Sequence, residues 1–168
     1  MTDDSSETRD PAIPSWRGVV MDIHVAERAG APMQSLDEAE LVAGHGIRGD
    51  RYAEGLGFYS DKPAADRQVT LFEIETIEAL ARDHGITVST REHRRNVTVR
   101  DVPLNHLVGR TFRVGSVLLY GGRLNKPCRY LDKLVGQRLF EKLLHRSGLN
   151  CEIREGGVVR PGDTVEPV

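Results

Sequence analysis

Two cysteines in 168 residues cannot build a disulfide framework, and with no Cys-x-x-Cys anywhere in the chain there is no structural zinc site of the usual spacing. In a reducing cytosol each cysteine is by default a free thiol. Long apolar runs are also missing. The stretch Val117 to Tyr120 is typical of the longest, far short of a bilayer span, and the start Met1-Thr2-Asp3-Asp4 lacks the basic and apolar regions of an export signal. A soluble cytoplasmic protein is expected, with no membrane partner. There is no excess of charge of either sign: the formal charge of −2 leaves no footprint for non-specific nucleic-acid binding, so any basic site must be local. Gly-x-Ser-x-Gly and the phosphate-binding P-loop are absent, and no lysine stands in a Schiff-base setting, which argues against pyridoxal phosphate. The six histidines show no pair at metal-binding helical spacing.

What is present suits one domain. A hydrophobic content of 39% over this length supports a single core, read as residues 15–168 after a polar, acidic, flexible tail over 1–14 broken by Pro11 and Pro14. Alternation from Val19 to Val25 predicts a strand with Val19, Met21, Ile23 and Val25 on one face, and Glu40 to Ala43 predicts another. Gly44 to Ala65, rich in glycine, is a long irregular stretch of the kind retained for function. Thr70-Leu71-Phe72-Glu73 has the letters of a capping box, which predicts a helix starting there, with Leu71, Ile74, Ile77 and Ala81 as its stripe and Gly85 beyond its end. Arg95 to Arg100 is a predicted strand. Phe112, Val114, Val117 and Leu119 continue the β pattern with a bulge expected at Gly115. A second helix is expected across Leu131, Leu134, Val135, Leu139 and Leu143, followed by two short strands around a turn near Pro161-Gly162. Many strands with two non-alternating helices predict a mainly β, α+β fold with a closed or sandwiched core and flanking helices.

Gly44-His45-Gly46-Ile47-Arg48-Gly49 matches the dinucleotide-binding letters, but no helical stripe follows to receive a pyrophosphate, so a Rossmann site is disfavoured. What remains is a tight turn whose backbone amides, with Arg48 and Arg51, can meet an anion; a plain turn with solvated arginines is the alternative. Arg94-Arg95-Asn96 opens a strand, and paired arginines beside an amide suit phosphate or carboxylate, against the bland reading of solvated charge. Cys128, in Asn125-Lys126-Pro127-Cys128-Arg129, sits after a strand and before a helix between two cations, a setting that favours a thiolate, nucleophile and soft metal ligand alike. A small buried cysteine is the competing reading. Cys151 has no charged loop and is read as structural.

Taken together, Gly46-Ile47-Arg48-Gly49-Asp50-Arg51-Tyr52, Val69-Thr70-Leu71, Arg94-Arg95-Asn96-Val97, Leu107-Val108-Gly109-Arg110-Thr111-Phe112, Pro127-Cys128 and Gly162-Asp163 resemble the MOSC family, named for the C-terminal domain of molybdenum cofactor sulfurase. The resemblance implies a β-barrel-like fold, a molybdenum–pterin cofactor, Cys128 as the catalytic molybdenum ligand, and a phosphate held by Arg48, Arg51, Arg94, Arg95 and Asn96. It implies an oxidoreductase of the stand-alone bacterial type, reducing small N-hydroxylated substrates such as hydroxylaminopurines. Electrons would come from a separate reductase partner, since no flavin, iron–sulfur or haem motif is present. Two alternatives stay open: a sulfur carrier holding a Cys128 persulfide, and a cofactor-binding module without catalysis. Related stand-alone domains often carry a further cysteine shortly before the Pro-Cys pair; here Asn125 stands there, which weighs against a mechanism of two adjacent thiols.

Overall fold

Alternating apolar residues can be buried completely only if their sheet closes on itself or meets a second layer. The computed structural model describes residues 15–168, so the tail expected over 1–14 lies outside the described residues. The chain forms β1 (Gly18–Val25), β2 (Gln34–Ser35), β3 (Ala39–Val42), β4 (Gly46–Ile47), β5 (Val69–Glu73) and the helix α1 (Ile74–His84). It continues through β6 (Val97–Arg100), β7 (Thr111–Val114), β8 (Val117–Leu124), α2 (Arg129–Val135), β9 (Leu149–Glu155), β10 (Gly157–Val159) and β11 (Thr164–Pro167).

Seven strands run in the order β11-β7-β8-β9-β5-β6-β1, and β1 returns to β11 through Gly18 opposite Val165 and Val19 opposite Thr164. The sheet is therefore a closed barrel. Only β5 and β6 are parallel, the crossover being made by α1, while β3, β4 and β10 form a small sheet on the flank. Inside the barrel, Ile23, Leu71, Val97, Val99, Phe112, Val114, Leu119, Leu149, Ile153 and Val165 are buried. Full burial contributes roughly 1.5–3 kcal/mol for each large apolar side chain. Strand alternation turns Phe72, next to Leu71, outward into a second cluster with Leu80, Val88, Leu131, Leu139 and Leu143 beneath the helices. No helix of the described residues is long and apolar enough to cross a membrane.

The departures from sequence expectation have local causes. Thr70 to Glu73 is strand rather than the first turn of a helix, because Leu71 pairs with both Val97 and Leu149. The Thr70 hydroxyl accepts the Asn96 N–H (3.1 Å) and Glu73 Oε1 accepts the Leu104 N–H (2.9 Å), so neither side chain caps α1. The fully buried residues of α1 are Thr76, Ala79 and Leu80; of the expected stripe Ile77 packs partly buried against the second cluster, and the helix ends at Gly85 (φ 64°) as expected. In β1 a register shift between Val20 and Asp22 splits the expected face: Ile23 and Val25 are buried as expected, but Val20 is buried in place of Val19 and Met21. Gly115 (φ 56°) forms the two-residue turn of the β7–β8 hairpin rather than a bulge. Gly136 (φ 72°) stops α2 at Val135; Leu139 and Leu143 still pack inward from the turns beyond it.

Gly121 on β8 marks the tightest approach. A Cβ there would sit 2.1 Å from the Leu107 carbonyl oxygen, which is backbone and cannot swing aside. Gly121→Ala is expected to destabilise the barrel by about 2 kcal/mol or more, from overpacking. Urea denaturation checks this, and an unchanged midpoint would show that the Leu107 segment yields more readily than its packing implies.

Candidate functional site

The glycine-rich stretch after β4 is pinned by one carboxylate. Asp50 is fully buried. Its Oδ1 accepts the Ala26 N–H (3.1 Å) and Arg51 Nη1 (3.2 Å), and its Oδ2 accepts the Tyr52 N–H (3.2 Å). Arg51 in turn donates from Nη2 to the Arg94 carbonyl (3.2 Å), joining the loop to the segment before β6. Arg94 holds a left-handed backbone (φ 64°), uncommon outside glycine, and donates from Nη1 to the Ala31 carbonyl (2.6 Å). A strained residue held by a buried arginine is a mark of a built site.

Beside it, His93 is buried and stacked on Phe72 with ring centroids 4.2 Å apart. Its Nδ1 accepts the Arg95 backbone N–H (2.9 Å), so the ring proton sits on Nε2 and is shared with Thr98 Oγ1 (2.8 Å). Burial first, and then the charge of Arg95, hold the imidazole well below its ordinary value of 6.5. The Arg95 guanidinium donates to the Ser147 carbonyl (3.1 Å) and hydroxyl (3.1 Å), leaving Nη1 available. Burial pushes it down to about 10, while attraction to a Cys128 thiolate works the other way.

These segments wall a cleft of about 310 Å³ at one end of the barrel. Six cations line it: Arg51, Arg67, Arg94, Arg95, Arg123 and Lys126. Among the described residues no carboxylate does. Asp50 and Asp66, outside the lining, are paired with Arg51 (3.2 Å) and Arg123 (3.0 Å). Thr70, Asn125 and Asn150 add neutral donors and acceptors, and Tyr52 and Tyr59 form an aromatic wall. Arg67 donates from Nη1 to the Tyr59 carbonyl (3.1 Å), yet its Nε is buried without a partner. An unpaired buried donor in a low-dielectric cationic cleft favours an anionic guest. Cys128, at the N-terminal boundary of α2, is half-buried and lines both this cleft and an adjoining pocket of about 60 Å³ walled by Phe58, Tyr130, Leu131 and Leu134.

Of the sequence candidates, the fold brings Arg51, Arg94, Arg95 and Cys128 to one cleft. It does not bring Arg48, which is exposed and forked onto Glu40 (2.6 and 3.1 Å). Asn96 lies behind the wall, its side chain spent on the Thr70 N–H and the His24 carbonyl. Arg51 is itself an interior residue, 7% exposed, with its donors turned to protein groups. Cys151 is buried in β9, where burial pushes its thiol up and makes it inert. Sequence reasoning passed over Arg67, Thr70, Arg123 and Asn150. Arg123 and Asn150 become neighbours only through the β8–β9 register. Lys126 could have been found, standing two residues from Cys128.

A closed barrel with a cationic, cysteine-bearing cleft defines the class of the protein: a small β-barrel domain with flanking helices. The chain belongs to the MOSC family, whose domain model matches residues 26–166. Among solved structures it is similar to the YuaD protein from Bacillus subtilis, with 20% identity and a TM-score of 0.75 over 90% of this chain and 97% of that one. It is also similar to YiiM from Geobacillus stearothermophilus (13% identity, TM-score 0.69, 90% and 75% covered) and YiiM from Escherichia coli (18%, 0.63, 88% and 70%). At such identities the likeness shows the fold. No curated protein sequence matches the chain significantly.

The His93 arrangement makes stability depend on pH with a definite sign. The native ring stays neutral while the unfolded one takes a proton below its ordinary value of 6.5, so stability is full above that pH and falls as pH drops toward the depressed native value. The loss approaches about 1.4 kcal/mol per pH unit for such a histidine. His24, also lowered by burial, adds to it. In His93→Gln the slope of unfolding free energy between about pH 6.5 and pH 5 should be shallower. Chemical denaturation at each pH measures it, and an identical slope would place the acid sensitivity elsewhere.

Proposed function

We propose that this protein binds a molybdenum–pterin cofactor and reduces small N-hydroxylated compounds with electrons from a separate reductase, working in the cytoplasm. The observation that carries the reading is the cleft itself: six cations, no lining carboxylate and one half-buried cysteine in about 310 Å³. The residues suit the group. A phosphate calls for guanidinium forks, which Arg67, Arg94, Arg95 and Arg123 offer, and molybdenum calls for a soft donor, which the Cys128 sulfur is. Among the described residues no cluster of three or more His, Cys, Asp or Glu could hold a metal by side chains alone, so the metal here would take its other ligands from the pterin and solvent.

When bound, the cofactor would supply two-electron transfer to the substrate. The balance is R–NHOH plus two electrons and two protons giving R–NH2 and water. The chain's own residues bind and orient. Arg95 Nη1 and the Arg67 guanidinium would donate toward the phosphate, and Lys126 would add a point charge. Burial raises the Tyr59 phenol above its ordinary value, so it stays a protonated donor on the wall. Tyr52 and Tyr59 exclude water, which strengthens each charged contact. The Cys128 thiolate would hold the metal. Arg51 acts by positioning, since its guanidinium fixes the Arg94 backbone.

Molybdenum content and pterin occupancy of protein purified from a molybdate-replete host test the assignment. Cys128→Ser should lose molybdenum at least about tenfold, with the melting temperature of the cofactor-free protein unchanged, because a hydroxyl is a harder and far less acidic donor. Arg95→Ala should lower occupancy by the worth of a charged hydrogen bond, about 1.5–3 kcal/mol or roughly ten- to more than a hundredfold, whereas Arg48→Ala leaves it unchanged. Full metal content in Cys128→Ser would remove that residue from the site.

A further inference from the structure

Most surface arginines of this chain are paired. Arg17, Arg28, Arg48, Arg82, Arg100, Arg113, Arg154 and Arg160 each have a carboxylate within ion-pairing distance. The segment from Lys126 to Arg146 is different. It carries six lysines and arginines against two carboxylates, in a chain whose formal charge is −2. Among the described residues, none of Lys126, Arg129, Lys133, Arg138 and Lys142 has an ion-pair partner. One of the two carboxylates, Asp132, is turned inward, its Oδ1 accepting the Leu139 and Phe140 N–H groups (2.8 and 3.0 Å).

Arg129 and Lys133, four residues apart on α2, lie on the same side of the helix. The Arg129 guanidinium lies 5.1 Å from the centre of the Phe140 ring, which ties α2 to the turns that follow, and Lys142 Nζ reaches the Arg138 carbonyl (3.2 Å). Apolar side chains stand among them unburied: Leu134 is 40% exposed and Leu144 46%. Across the adjoining pocket, Phe58 is 54% exposed and stacks on Tyr130 of α2 with centroids 5.1 Å apart. An apolar centre with a predominantly cationic rim, in which Glu141 is the segment's exposed carboxylate, is the anatomy of a protein interface with a partner of the opposite sign. A nucleic-acid surface would need the cations without exposed leucines between them.

We infer that the α2 face, from Arg129 to Leu144 with Phe58, is the docking surface for a small acidic electron-carrier protein. The inference rests on the reductase reading, which requires two electrons from outside, delivered here as two successive one-electron transfers from an iron–sulfur or flavin carrier. The placement suits that role, because Cys128 immediately precedes α2 and lines the pocket that Phe58, Tyr130 and Leu134 wall, so a carrier seated on this face lies against that pocket. Steering by unpaired cations raises the association rate and makes binding steeply salt-dependent.

The test is binding, measured by surface plasmon resonance with an acidic [2Fe–2S] ferredoxin as probe, at about 20 and about 200 mM salt. Lys133→Glu/Arg138→Glu changes two exposed residues outside the cleft. Arg91→Glu/Arg110→Glu makes the same change of net charge elsewhere. The expected result is micromolar binding at low salt that weakens at least tenfold in high salt, and at least tenfold in the first variant at low salt, with the second close to wild type. Equal loss in both variants, no loss in either, or no binding by wild type overturns the inference. So does displacement of the ferredoxin by a DNA duplex or by anionic vesicles that bind more tightly. The assay needs no turnover, so its outcome is separate from that of the reductase reading: dithionite-driven reduction of a hydroxylamine by wild type and by the first variant reports on the latter alone.

Discussion

One buried carboxylate organises the functional end of this molecule. Asp50 is out of contact with water, and such a charge is tolerated only when every oxygen is satisfied. It is satisfied by the Ala26 and Tyr52 amides and by Arg51, and each of these bonds pins a different piece of chain. Ala26 continues from β1, Tyr52 begins the aromatic wall, and Arg51 carries the link on to the Arg94 carbonyl. Withdraw the carboxylate and Arg51 becomes an uncompensated buried cation, with the cleft wall losing its tie to the barrel. The left-handed Arg94 is held by this chain of bonds, and its neighbour Arg95 is thereby aimed into the cleft.

The barrel makes such a site affordable. Seven strands closed on themselves leave no long open edge there, and the core of Ile23, Leu71, Val97, Phe112 and Leu149 supplies stability that does not depend on the loops. The loops are then available to gather like charges. Six cations lining one cleft repel one another; Arg95 is depressed to about 10 by burial, with a smaller contribution from Arg51. A cationic cleft of this kind is electrostatically unfavourable to the fold, and an anionic ligand would relieve it. The paired arginines elsewhere on the surface show the chain balancing its charges where no ligand is needed.

Much of the fold was legible because closed barrels leave a period-two signature. The strand at Gly18–Val25, the hairpin from Thr111 to Leu124 and the strands of the C-terminal tail are all visible as alternation. Where legibility failed, a tertiary contact overrode a local motif. Thr70 and Glu73 have the letters of a cap, but Leu71 between them is wanted by two neighbouring strands, and long-range pairing of a buried strand outweighs one capping interaction. The length of α2 was misjudged because Leu139 and Leu143 continue its stripe, although Gly136 breaks the helix between them. At the site, the cysteine and the paired arginines stand out by composition. Asn96 and Arg48 belong to the same motifs, yet one faces inward and the other outward, a distinction that strand phase settles and motif letters do not. Arg123 and Asn150 are brought together by register over a long loop, which no local reading contains.

The central claim is that the cationic, cysteine-bearing cleft is made for a molybdenum–pterin group. The most direct measurement is the stoichiometry of metal, pterin and labile sulfur in the wild-type protein purified from a molybdate-replete host. The account predicts molybdenum and a fluorescent pterin oxidation product in equal amounts, with no cyanide-releasable sulfur on Cys128. Protein free of both metal and pterin but carrying such sulfur would contradict it, and would make the cleft the seat of a sulfur carrier instead.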